Sequence, residues 1–292
     1  MTPLDRPSLT STQFKKFADF IYDISGIRFQ EAKNYFLASK LDMRKKDLNM
    51  SSLDEYYNFI IRQPKMSREI ELLLNEITIN ETFFYRNTAQ LDSYNKDILM
   101  DIIAQKRAKG DKRLRIWSAA SSTGDEAYTL IMDMLEKNLH REFTIEIVGT
   151  DISQKALGVA KEGVYKKYAI RNIPPHLLRK HFTILDEHNY KLSDEIKRYG
   201  TFKHCNLSDA MNCRALGKFD IVFCRNVLIY FDRESREQVL TNIYNNMNDN
   251  AFLLVGHSEN LYAERHLFEI CKDKLQALAY KKAPKGTEKA RV

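Results

Sequence analysis

Cysteine is scarce and unpatterned: four occur in 292 residues, at Cys205, Cys213, Cys224 and Cys271. They form no CxxC pair, and no histidine stands at zinc-finger spacing from them, so no metal site is expected. Four cysteines in a chain this long do not make a disulfide scaffold, and reduced, mostly buried thiols are expected. No stretch approaches the ~18 consecutive apolar residues of a membrane span. The start, MTPLDRPSLTSTQF, lacks the apolar run behind basic residues that a secretory signal needs. A cytoplasmic location without direct membrane insertion follows as the expectation. Repeats and low-complexity tracts are also absent.

What remains is ordinary globular composition, 43% hydrophobic and 29% charged. The length allows one large or two modest domains. A formal net charge of +7 admits nucleic acid, a membrane surface or an acidic protein as partner. The densest basic groups are Lys40, Arg44, Lys45 and Lys46, then Lys106, Arg107, Lys109, Lys112, Arg113 and Arg115. Solvated surface is the default for both. Lys33, Lys40, Arg44 and Lys46 can share part of a helix surface, which suits an acidic partner. Nucleic acid is not expected, because the basic residues are not interleaved with stacking aromatics.

Residues 10–80 read as four helices. Phe14, Phe17, Ala18, Ile21 and Ile24 recur near a 3.6 period, with Ser11 or Thr12 to cap the start and Gly26 to stop the end. The stretches YFLASKLDMRKKDL, SLDEYYNFIIRQ and SREIELLLNEIT give the other three. After about residue 112 strands and helices alternate: LRIWSAAS, then EAYTLIMDMLEKNL; IEIVGTDIS, then SQKALGVAKEGVY; FDIVFCRNVLIYF, then RESREQVLTNIYNNM; finally AFLLVGHSE. That alternation predicts a parallel sheet with crossover helices. HNYKLSDEIKRYGTFKH interrupts it and reads as short antiparallel strands, an insertion over 182–204.

In such a sheet, ligands bind beyond the carboxyl ends of the strands. The first strand ends in Ala119-Ala120-Ser121-Ser122-Thr123-Gly124-Asp125-Glu126, whose small residues let a ligand approach the backbone at a helix N-terminus. With one glycine this is not GxGxxG, and a pyrophosphate dinucleotide fits it poorly. The second ends in Asp151, an acid able to accept hydrogen bonds from both ribose hydroxyls, or simply a helix cap. Asn206-Leu207 follows another strand, and an asparagine amide can read an adenine edge or shape a turn. Arg225-Asn226 and Tyr230 follow the third strong strand. Upstream, Asn80-Glu81-Thr82-Phe83-Phe84-Tyr85-Arg86 reads as a packed linker or as a lid whose Arg86 meets an amino-acid carboxylate.

The segments NETFFYR, WSAASSTGDEAY, GTDIS, FCRNVLIYFD and GHSEN, in that order, resemble the CheR family of chemotaxis receptor methyltransferases. The resemblance runs from about Thr12 to Lys281 and takes in the SGI turn and RNIPPHLLRKHF. It implies an α/β, Rossmann-like S-adenosylmethionine-dependent methyltransferase domain with a small inserted antiparallel β-subdomain, preceded by an all-α N-terminal domain. The implied division is a helical domain over 1–80, a linker and lid over 81–111, the methyltransferase domain over 112–283 and a flexible tail over 284–292.

The implied reaction moves a methyl group from S-adenosylmethionine to chemoreceptor glutamates, leaving S-adenosylhomocysteine. Asn80, Thr82, Arg86, Glu126, Asp151, Asn206, Leu207, Arg225 and Asn226 would hold the cofactor. Tyr230, with Arg86, would stand at the transferred methyl. Lys40, Arg44, Lys45 and Lys46 would face the receptor's cytoplasmic helical bundle, and a monomer is expected. Two departures are local: Ala127 stands where the family often has proline, and Asp125 replaces a glutamate. A third bears on docking. LDEHNYKLSDE lacks the glycine-bearing loop of members that dock a receptor pentapeptide, which argues against such a tether. The alternative reading is a non-catalytic S-adenosylmethionine-binding signalling protein.

Overall fold

The computed structural model describes residues 7–283, so the expected tail at 284–292 lies outside the described residues. Four helices form the first unit: α1 (Ser11–Ser25), α2 (Asn34–Asp47), α3 (Leu53–Ile60) and α4 (Arg68–Ile77). The cap of α1 is Thr10, not Ser11 or Thr12; its hydroxyl accepts from Gln13 N while the Gln13 side chain returns the bond, a capping box. Gly26 ends α1 in the left-handed region at φ 76°. Ser52 and Ser67 cap α3 and α4. Phe17, Ile21, Leu37, Leu41, Tyr56 and Leu73 close the core between them.

The stretch expected to be a linker and lid is mostly neither. Residues 88–109 run as α5 (Thr88–Ser93), a π turn (Tyr94–Ile98) and α6 (Leu99–Lys109). Leu91, Tyr94, Ile98 and Ile102 face one way and are buried in the core under the main sheet. Tyr94 meets Phe223 edge-on at 5.0 Å. Only the segment before α5 retains a lid-like position.

The chain then alternates as anticipated: β1 (Arg113–Ala119), α7 (Asp125–Glu136), β2 (Thr144–Asp151), α8 (Gln154–Glu162), β3 (Val164–Lys166), α9 (Lys167–Ile170), α10 (Pro175–His181), β4 (Phe182–Ile184), β5 (Asn189–Leu192), α11 (Asp194–Lys197) and β6 (Gly200–His204). After these come α12 (Ala210–Arg214), β7 (Phe219–Cys224), α13 (Arg233–Asn245), β8 (Met247–Val255), β9 (Phe268–Ile270) and β10 (Ala279–Lys282). The main sheet has seven strands in the order β6-β2-β1-β7-β8-β10-β9, parallel through β8 and antiparallel beyond. Its order reverses at β1, which lies between β2 and β7 and so opens a crevice beyond its carboxyl end.

The inserted sheet is β3-β5-β4, all antiparallel. Its membership differs from the 182–204 expected. Gly200–His204 pairs in parallel with β2 as the edge of the main sheet, whereas Val164–Lys166 belongs to the insertion. Alternation alone does not say which sheet a short strand joins; here Phe202 packs over Gly149, where any Cβ would stand 2.5 Å from its ring. The β4–β5 turn is tight and without glycine, held by Asp186 Oδ1 accepting from His188 N and Asn189 N.

Candidate functional site

The turn after β1 is strained. Ala120 and Ser122 adopt φ of 57° and 49° without being glycine, a conformation that persists only where neighbours enforce it. Ser121 N donates to Thr150 O, Ser122 Oγ donates to Asn80 O, and Ser122 N donates to Asp151 Oδ2 at 2.8 Å. The other Asp151 oxygen accepts from Ser153 N at 2.8 Å. The cap of α8 itself is Ser153, whose hydroxyl accepts from Ala156 N. Asp151 therefore shapes the turn and still keeps lone pairs toward the crevice. Burial pushes its carboxyl above the usual range, against the pull of the backbone N–H groups of Ser153 and Ser122.

On the β7 side, Arg225 is buried and donates through Nη1 to Glu126 Oε2 at 2.9 Å and through Nη2 to Arg86 O at 3.0 Å. Ser118 Oγ donates to the other Glu126 oxygen at 2.7 Å. Asn226 sits at φ 59°. Its N–H and that of Leu228 donate at 2.8 Å to the carboxylate of Glu259, which also accepts from Gly256 N at 2.7 Å. Glu259 belongs to GHSEN, yet the sequence offered no reason to single it out, because two of its three partners, Asn226 N and Leu228 N, are backbone groups distant in the chain. A short 3-10 turn, Leu228–Tyr230, then carries Tyr230 to the rim. Burial raises the Tyr230 phenol, with Arg86 opposing and Glu81 reinforcing the shift. It therefore remains a protonated donor near neutral pH.

Arg86 is held between two left-handed residues, Tyr85 at φ 54° and Asn87 at φ 67°. Tyr85 is pinned by its hydroxyl on Asp133 and its N–H on Thr129 Oγ1. The Arg86 guanidinium donates to Glu81 O and lies over the Phe83 ring.

Ser121, Ser122, Glu126, Asp151, Arg225 and Arg86 border one cavity of about 440 Å³, within the usual range for a small-molecule ligand. Asn80, Thr82 and Arg86 enter from the segment before α5, Glu126 from the first turn of α7, Asp151 from the end of β2, and Asn206 and Leu207 from the loop after β6. Arg225, Asn226 and Tyr230 complete the wall. The helical unit adds Phe29, Lys33 and Phe36, which sequence reasoning missed because they precede or open α2, far from any strand end. Two buried polar atoms on the wall, Ser121 Oγ and Arg225 Nε, have no partner among the described residues. Together with the free lone pairs of Asp151 they suit a ligand rich in hydroxyl and charged groups.

Some assignments are narrowed. The Asn206 amide already donates to Ile24 O at 3.1 Å and its oxygen accepts from Ser208 N at 3.0 Å. It tethers the two units and retains one donor for a ligand, so a two-point reading of adenine through both ends is not available. Arg44 does not belong to a surface stripe. It is buried, with Nε and Nη2 forked on Glu69 at 3.0 and 2.6 Å. Lys40 pairs with Glu76, and Lys45 and Lys46 with Asp42. None of the four borders the cavity.

Comparison with known proteins agrees with this geometry. The family described as "CheR methyltransferase, SAM binding domain" matches residues 80–276, and "CheR methyltransferase, all-alpha domain" matches 12–78. The chain is 32% identical to chemotaxis protein methyltransferase 2 of Vibrio cholerae over 95% of each chain. Chemotaxis protein methyltransferase 1 of Pseudomonas aeruginosa is 34% identical over 87% of this chain and 92% of its own. For the Borreliella burgdorferi chemotaxis protein methyltransferase the figures are 31%, 89% and 92%.

Proposed function

This chain belongs to the CheR methyltransferase family, with an S-adenosylmethionine-binding domain, and from that premise we propose that it esterifies glutamate side chains of chemoreceptors. The observation that carries the reading is the meeting of Arg86, Asp151 and Tyr230, from three distant segments, around one cavity. In this reading Asp151 takes the ribose hydroxyls of S-adenosylmethionine. Glu126 faces the ammonium of its methionyl end, Arg86 its carboxylate, and Leu207 packs beside the adenine. Asn80, Thr82 and the single free donor of Asn206 supply remaining polar contacts.

The bound cofactor supplies an electrophilic methyl on a sulfonium. A glutamate carboxylate, with a usual pKa of about 4.3, is already ionised near neutral pH and needs no base to remove a proton. The chain's task is alignment and partial desolvation of the attacking oxygen. Tyr230, half-buried at the rim and protonated, donates a hydrogen bond that orients the carboxylate. The tight, glycine-free β4–β5 turn supports action without a pentapeptide tether.

Label from methyl-tritiated S-adenosylmethionine should enter receptor-containing membranes at equal rates whether or not the receptors keep their C-terminal tails. Loss of transfer on removing the tails would reject tether independence. Absence of transfer to either preparation, with cofactor still bound, would favour a non-catalytic signalling role.

A further inference from the structure

We propose that Arg171 is a specificity-determining residue that grips a second carboxylate of the methyl-accepting protein, near the glutamate being modified; this rests on the glutamate-acceptor reading above. Arg171 follows α9, between β3 and β4 of the inserted subdomain, where Ala169 O accepts from Phe84 N. Its guanidinium carbon lies 3.5 Å from the Phe83 ring centroid and 3.7 Å from that of Tyr168. Phe83 is a wall of the cofactor cavity and also carries the Arg86 guanidinium at 5.6 Å. One ring thus links the cavity to Arg171 outside it.

The side chain is fixed in advance. Nη1 donates to Tyr168 O at 2.5 Å, and the Tyr168 hydroxyl donates to Glu81 Oε1 at 3.3 Å. An arginine held this way has little rotamer entropy left to lose on binding. Contacts with two nearly perpendicular rings hold the guanidinium in place, and a carboxylate binds such a group in plane through two N–H groups at its edge. Arg171 is exposed and, among the described residues, forms no ion pair.

The surroundings carry the same sign. Lys191 lies opposite Val164, and Lys166 opposite Asn189, which puts both lysines on the outward face of the small sheet. Lys166, Lys167 and Lys191 are exposed and have no ion pair among the described residues. On α2, by contrast, the cations of the basic stripe are matched by Glu69, Glu76 and Asp42. Unneutralised positive charge therefore lies on the inserted subdomain, and Lys33 of the helical unit, exposed and without an ion pair among the described residues, adds to it at the cavity wall. An acidic helical segment fits it, with its second carboxylate one to two turns from the target, roughly 5–11 Å along the helix.

The test measures methylation kinetics of the full-length enzyme on a purified receptor cytoplasmic fragment. Arg171→Ala should raise the KM for the acceptor about tenfold, the order expected of one charge-assisted pair, with kcat within about twofold. S-adenosylmethionine affinity by calorimetry should stay unchanged. Arg171→Lys should recover only part of the loss, since a lysine keeps the charge but not the fork. Acidic residues flanking the target glutamate are then changed singly to Gln. One of them should raise the wild-type KM by the same factor and add nothing in Arg171→Ala. An unaltered KM in Arg171→Ala overturns this inference alone. So do acceptor substitutions that all add independently to Arg171→Ala. Failure of the wild-type enzyme to methylate any receptor glutamate overturns the glutamate reading and this one with it.

Discussion

On the proposed reading Asp151 has two tasks, and they predict different losses. Removing its carboxylate frees Ser122 N and Ser153 N and, if the ribose assignment holds, the cofactor's hydroxyls as well. Asp151→Ala should weaken S-adenosylmethionine binding by roughly 100-fold, the scale of two lost hydrogen bonds to a charged group; unchanged affinity in calorimetry would remove the ribose assignment. Tyr230→Phe deletes a single hydroxyl at the rim. It should lower kcat by about tenfold or more while cofactor affinity changes by less than about twofold, and a turnover equal to wild type would count against its orienting role. Asp125 gives a prediction about pH. Burial pushes its carboxyl up to about 6, opposed by the Thr123 hydroxyl, and its Oδ1 has no partner among the described residues. Ionising it costs the folded state, so its contribution is favourable below the unfolded value near 3.9 and is lost as pH rises to about 6. Asp125→Asn should therefore be more stable than wild type at pH 7.5 by about 1–3 kcal/mol, with the gain vanishing toward pH 4. Urea unfolding at the two pH values checks the sign.

At the scale of elements, the helical unit meets the methyltransferase domain through α4, whose Asn75 accepts from Ser153 Oγ and Lys155 N, and through the turn after α1. The turn after α1 is wedged between two loops of the methyltransferase domain. Arg28 N donates to Tyr230 O at 2.9 Å, Asn206 Nδ2 donates to Ile24 O, and Tyr22 donates to Asp232. Gly26 permits this, because a Cβ there would lie 2.3 Å from Ser208 Oγ and φ is 76°. Gly26→Ala should cost about 1–3 kcal/mol of stability and also reduce turnover, since the same turn supports Tyr230; differential scanning calorimetry and steady-state rates report the two effects. The loop after β7 depends on Glu259. Truncation to Ala leaves three N–H donors without their acceptor, and a loss on the order of 3 kcal/mol is expected in urea unfolding. A loss below about 1 kcal/mol would show that water replaces the carboxylate.

Across the whole molecule, what the sequence discloses follows local pattern, and what it hides follows from pairing at a distance. The four N-terminal helices and the main strands were legible because apolar periodicity and caps are local. Strand ends then located the site, since a parallel sheet presents its ligands there. The same logic failed for Gly200–His204, whose paired residues on β2 lie 53 positions earlier, and for residues 88–109, whose apolar face is read correctly only once the sheet beneath it is known. Charge misled for a similar reason: Arg44 looks like surface until Glu69, 25 residues away, is placed against it. Arg171 opens RNIPPHLLRKHF and Phe83 lies in NETFFYR, yet nothing local says that the two side chains meet, because the segments are far apart in the chain.

The central claim is that this fold transfers a methyl group to a carboxylate, and the identity of the bond tests it most directly. Receptor incubated with enzyme and methyl-labelled S-adenosylmethionine should carry label released as methanol by mild alkali. Mass spectrometry should place that label on glutamates, with one S-adenosylhomocysteine formed per ester. Alkali-stable label, or cofactor binding without any S-adenosylhomocysteine, would contradict the account.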